Sequence, residues 1–129
     1  RCETGSGNTR FQVDFNGHVG IGDDPDDVYA LNVCGSVRAE EVVVESGWCD
    51  FVFDEGYELM PLSELADFIA EQGHLPSAPN TTEVEQHGLH LAQTNRLLMQ
   101  KVEELTLYIL QQQEAIDTLN HKVDLLTAK

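Results

Sequence analysis

The sequence predicts a mixed β-plus-α protein in three parts: a short-stranded β region over residues 1–47, a small α/β collar over 48–88, and a C-terminal parallel coiled coil over 89–129. Three observations carry this. Apolar side chains repeat every seven residues at the C-terminal end; short alternating pieces are cut by Gly and Asp at the N-terminal end; one amphipathic helical turn pattern lies between them.

In the β region, Phe11, Val13 and Phe15 alternate with Gln12 and Asp14, Asn16-Gly17 is a turn dipeptide, and Val19 and Ile21 resume the alternation before Gly22. Leu31 and Val33 follow, then Gly35, then Val37 and Ala39. Each piece is too short to bury its apolar face alone, so these strands are expected to need sister chains that share a core and cover the sheet edges.

The collar opens with Trp48, Asp50, Phe51, Val52 and Phe53, and Trp48, Phe51 and Phe53 are expected to fill its core. Pro61 suits the first turn of a helix whose Leu62, Leu65, Phe68 and Ile69 share a face, and Gly73 stands where a left-handed C-terminal residue is needed. His74 to Pro79 is expected to be extended by its prolines, after which Thr82 can cap a short helix through Gln86 that ends at Gly88.

In the C-terminal segment the a positions fall on Asn95, Val102, Ile109, Ile116 and Val123, and the d positions on Leu91, Leu98, Leu105, Gln112, Leu119 and Leu126. Nine of these eleven are apolar, and a sustained 3.5-residue repeat keeps one stripe facing a partner, whereas a helix on a globular core drifts to 3.6. One continuous helix over 89–127 is expected. Polar Asn95 and Gln112 interrupt the seam as register-fixing amides. β-branched a residues with Leu at d favour dimers. The flanks Thr106, Tyr108, Gln113, Ala115, Asn120 and Lys122, nearly devoid of Glu/Lys pairing, favour a wider trimeric seam, so the residues alone leave both states open.

Seven basic against twenty-three acidic residues give a formal net charge of −16, which repels phosphate backbones and anionic bilayers; no nucleic-acid partner and no membrane insertion are expected. The same excess fits a surface kept soluble in concentrated salt. The chain begins at Arg1 and shows no signal-peptide pattern, so it is expected to be the end of a longer protein. Cys2, Cys34 and Cys49 lack the CxxC spacing of zinc or redox sites and are expected to be reduced and mostly buried. No nucleophile elbow, phosphate loop or HExxH pattern occurs, so neither enzyme activity nor a cofactor is expected. No metal site is expected either: the Asp23-Asp24-Pro25-Asp26-Asp27 run lacks the alternation of a calcium loop, and Gly88 is expected to break the helix between His87 and His90. His18 and His74 are read as structural.

The stretch Asn16-Gly17-His18-Val19-Gly20-Ile21-Gly22, Pro25, and Leu31-Asn32-Val33-Cys34-Gly35-Ser36-Val37-Arg38-Ala39 resembles the NGNVGIGT...P...LDVNGxxRA signature of phage-type tail-fibre proteins found in bacterial genomes and prophages. A second block is similar to the stretch that follows that signature: Trp48, Asp50-Phe51-Val52-Phe53, Tyr57, Leu59, Leu62, His74-Leu75-Pro76, Pro79, Gly88 and Glu103-Glu104-Leu105-Thr106-Leu107-Tyr108. Residues 23–27 depart from it, since small polar residues usually stand there. The resemblance implies a homotrimer with an intertwined β fibre region, joined to an upstream fibre and a particle baseplate and located on the virion tail fibre. It also implies attachment to a bacterial surface glycan or protein, for which the turns at Asn16, Gly17, His18, Asp23, Asp24, Asp26 and Asp27 are the candidates. Self-cleaving relatives need a Ser-Asp context that Ser6, Ser36, Ser46, Ser63 and Ser77 lack. The alternatives are a cellular trimeric surface adhesin or stalk on the bacterial surface, and a purely structural registration module.

Overall fold

The computed structural model describes residues 11–45, 47, 48 and 50–128. It is of mixed α/β class, with three short strands followed by three helices, and it divides into two units between Val43 and Val44. The collar segment and the long C-terminal helix belong to the same unit. Cys2, Cys49, Ser6 and Ser46 lie outside the described residues, and Cys34 is half-buried.

In the first unit, β1 (Gln12–Val13) pairs antiparallel with β2 (Val19–Ile21), and β2 pairs in parallel with β3 (Leu31–Val33), with Val19 opposite Leu31 and Ile21 opposite Val33. The β1–β2 turn differs from the expectation centred on Asn16-Gly17. Phe15 and Asn16 occupy its centre, Gly17 N–H donates to Asp14 O at 3.1 Å, and Gly17 takes the left-handed position at φ 89°. Phe15 therefore stands exposed in the turn instead of continuing the strand.

The parallel β2–β3 pair was not legible in the sequence. Residues 22–30 join the strands without a helix, and they do so by folding over β2: a Cβ on Gly20 would lie 2.3 Å from Asp23 O and 2.7 Å from Pro25 N. Only glycine leaves room for that backbone. Bonds from Val19 N–H to Ala30 O (2.8 Å) and from Cys34 N–H to Ile21 O (2.9 Å) extend the pairing at both ends. Val37 and Ala39 form no strand; the chain beyond Gly35 has no described partner strand with which to satisfy a ladder.

In the second unit, α1 (Leu62–Gln72) starts after Pro61, which is its N-cap residue and not part of its first turn, and ends at Gly73 with φ 72° as the sequence requires. Residues 74–79 are not simply extended. A turn closes from Ala78 N–H to Leu75 O at 3.0 Å, with Pro76 leading and Ser77 at φ 64°. The cap of α2 (Thr81–His87) is Asn80, not Thr82: Asn80 Oδ1 accepts from Glu83 N–H at 3.0 Å while Glu83 Oε2 accepts from Asn80 N–H at 2.9 Å. This reciprocal pair satisfies two helix-end donors at once and starts the helix at Thr81, which places Thr82 inside its first turn. After Gly88 and the extended N-cap His90, α3 (Leu91–Thr127) runs for 37 residues, about 56 Å at ~1.5 Å per residue.

Trp48, Phe51 and Phe53 are exposed, contrary to the expected aromatic core. The buried apolar side chains among the described residues are Val52 (2% exposed) and Tyr108 (7%). The cause is a turn rather than a strand: Asp54 N–H donates to Phe51 O at 3.1 Å, so Val52 and Phe53 sit at the centre of a tight turn that buries the first and leaves the second in solvent. Phe51 instead rests its ring 5.8 Å from that of Tyr57.

Candidate functional site

One side of α3 is covered by its own chain. Tyr108 donates its hydroxyl to Met60 O at 2.6 Å, Tyr57 donates to Glu104 Oε1 at 2.6 Å, and Arg96 Nη1 donates to Gly47 O at 3.2 Å. Gln100 Nε2 and Lys101 Nζ each reach Glu104 at 2.8 Å. Partial burial works to raise the Glu104 pKa. The hydrogen bonds from Lys101, Tyr57 and Gln100 outweigh it and hold the carboxyl below its ordinary range. Burial and the bond to Glu104 push the Tyr57 hydroxyl up.

Residues 92, 94, 96, 97, 100, 101, 103, 104, 107 and 108 carry this coverage. The a and d positions do not. Leu91, Asn95, Leu98, Val102, Leu105, Ile109, Gln112, Ile116, Leu119, Val123 and Leu126 are all exposed. Beyond Tyr108 every residue from 109 to 128 is exposed all round the helix. Helices in proteins owe most of their stability to packing of an apolar face, so this half of α3 lacks, within one chain, the burial that would hold it.

The candidate surface turns, separate in sequence, meet in the first unit. Asp14, read from sequence only as a polar strand residue, organises them. Its Oδ1 accepts from the N–H groups of Asn16 and His18, both at 2.8 Å, and its Oδ2 lies 3.2 Å from His18 Nδ1. His18 Nδ1 also lies 3.8 Å from Asp27 Oδ1. Partial burial works to raise the Asp14 pKa. The backbone bonds from His18 and Asn16 and the adjacent imidazole outweigh it and hold the carboxyl low. An Asp two residues before Asn-Gly is a turn signal that could have marked it.

The carboxylates of Asp23 and Asp26 serve the backbone of this loop. Asp23 Oδ1 accepts from Asp24 N–H at 2.9 Å, and Asp26 Oδ1 accepts from Val28 and Tyr29 N–H, both at 2.8 Å. Asn32 Nδ2 donates to Asp24 O at 3.2 Å. In the second unit, His87 and His90 fall on either side of the break at Gly88, and His87 Nδ1 bonds Glu83 O at 3.2 Å. Both line an open cleft of about 570 Å³ with His74, Pro79, Gln93 and Leu97. No described helix is long and apolar enough to cross a membrane.

No protein-family model, no curated protein and no solved structure matches the chain.

Proposed function

We propose that this chain is an assembly and attachment segment of a homotrimeric phage-type tail fibre, in which three copies of α3 form a parallel coiled coil and the β region presents its turns to a host surface. One observation carries the assembly half of this reading: the collar occupies one side of α3 and leaves the whole a/d stripe open. A helix recruited to its own domain would bury that stripe first, because it is the largest apolar surface the helix owns. The two-block motif resemblance, which implies threefold fibres joined to an upstream fibre and baseplate, supports three strands and placement on the virion.

Attachment rests on the turns. Asn16-Gly17-His18 and residues 23–27 form one polar, backbone-rich cluster suited to a hydroxyl-rich glycan or to a surface protein, and three copies per fibre multiply weak contacts. The test is decoration of host cells by the fluorescently labelled chain. Signal is expected on the right bacterial host, with most of it lost in a variant that cannot assemble or in one whose two turns are scrambled. Decoration that survives scrambling, or absence of decoration on every host, would move the receptor site elsewhere and leave this segment a registration role.

A further inference from the structure

We propose that Asp14, His18 and Asp27 form a binding site for a divalent transition-metal ion of the zinc class. Their ligand atoms, one imidazole nitrogen and two carboxylate oxygens, all lie within 4.8 Å of one another. Around tetrahedral zinc, ligand atoms ~2.0–2.1 Å from the metal stand about 3.3 Å apart. His18 Nδ1 to Asp14 Oδ2 is 3.2 Å and His18 Nδ1 to Asp27 Oδ1 is 3.8 Å, so both separations from the imidazole lie near that spacing, and the side chain of Asp27, 92% exposed, has solvent around it in which to adjust.

An ion pair alone accounts for half of this arrangement. A single Nδ1–H can satisfy Asp14, and at 3.8 Å Asp27 gains no hydrogen bond from it. Both described ion pairs of these carboxylates end on the same nitrogen, so two like charges converge where one proton is available. A cation at their centre replaces that proton and takes all three atoms as ligands. Asp14 is also built as a metal-binding carboxylate should be: its Oδ1 is anchored by two backbone N–H groups and its Oδ2 is left facing the imidazole.

The donor set selects the metal. Calcium and magnesium take six or more oxygens, whereas one nitrogen and two oxygens suit the borderline first-row ions, with a fourth position open to solvent. All three ligands come from one chain, so the site stands or falls independently of the proposed assembly.

The test is titration of the chelator-treated full chain with Zn²⁺ and with Co²⁺, followed by cobalt visible absorption and by the nitrogen resonances of the His18 ring. One ion per chain is expected, with the His18 Nδ1 resonance shifting on binding and no displacement by excess Mg²⁺ or Ca²⁺. Asp27→Asn and His18→Gln should each weaken binding by about tenfold or more. Asp27→Asn should leave the amide spectrum of the β region unchanged, which separates lost ligation from lost fold. Unaltered affinity in both variants would place the cation on the diffuse acidic surface and overturn the proposal, as would a silent His18 ring or absence of binding.

Discussion

Replacing Ile109 and Ile116 together by Asp strikes the proposed seam where nothing else in the chain is touched. In the single chain these side chains are 63% and 50% exposed, so about half of each remains to be buried by a partner. Full burial of an isoleucine contributes about 1.5–3 kcal/mol, and the exposed fractions leave roughly 2–3 kcal/mol per chain, or about 5–10 kcal/mol over a trimer. At ~1.4 kcal/mol per tenfold change, the association constant should fall by on the order of 10⁴–10⁷, before counting the cost of burying unpaired carboxylates. Leu110→Asp with Leu125→Asp is the matched control. Those side chains are 60% and 58% exposed on the same helix but lie off the a/d stripe, so area and charge change alike while the seam stays whole. Sedimentation equilibrium, with helical circular dichroism beside it, should show the isoleucine pair dissociated and less helical and the leucine pair still assembled. Equal loss of assembly in both variants would refute the seam assignment.

Gln112→Leu should raise the melting temperature of the assembly, since an apolar d residue packs where an amide only fixes register; a lower temperature in an intact assembly would contradict that role. Tyr108→Phe should cost about 1–2 kcal/mol in thermal denaturation by leaving Met60 O without its 2.6 Å donor. Glu104 has a lowered folded pKa, so its contribution is complete above the ordinary carboxylate value and is lost as pH falls through the depressed one. The stability gap between wild type and Glu104→Gln should therefore be widest above the ordinary glutamate range and narrow as pH falls through and below it. Gly20→Ala should cost ~2–3 kcal/mol, read as faster amide exchange at Val19 and Cys34, because the added methyl meets backbone; Gly17→Ala, with open space but φ 89°, should cost ~1 kcal/mol.

Local signals were legible in the sequence and distant pairings were not. The reach of α3 followed from periodicity alone, and Gly73 from the need for a left-handed end. Asn80 was legible too, as the start of an Asn-Thr-Thr-Glu capping pattern, though Thr82 drew the first reading. The parallel β2–β3 pair rests on a loop folding over Gly20, and no local pattern encodes which strand edge a returning segment meets. Nor could heptad counting show that Tyr108, a flanking position in the repeat, is held to the collar by its hydroxyl. The meeting of Asp14, His18 and Asp27 depends on that same loop, so their chemistry emerged only with the fold.

Absolute mass in solution, measured by light scattering across micromolar concentrations, tests the central claim most directly. Three chains of 14.3 kDa should give about 43 kDa, independent of dilution over that range. A mass of one or two chains would contradict the trimeric seam, and with it the threefold display of the turns.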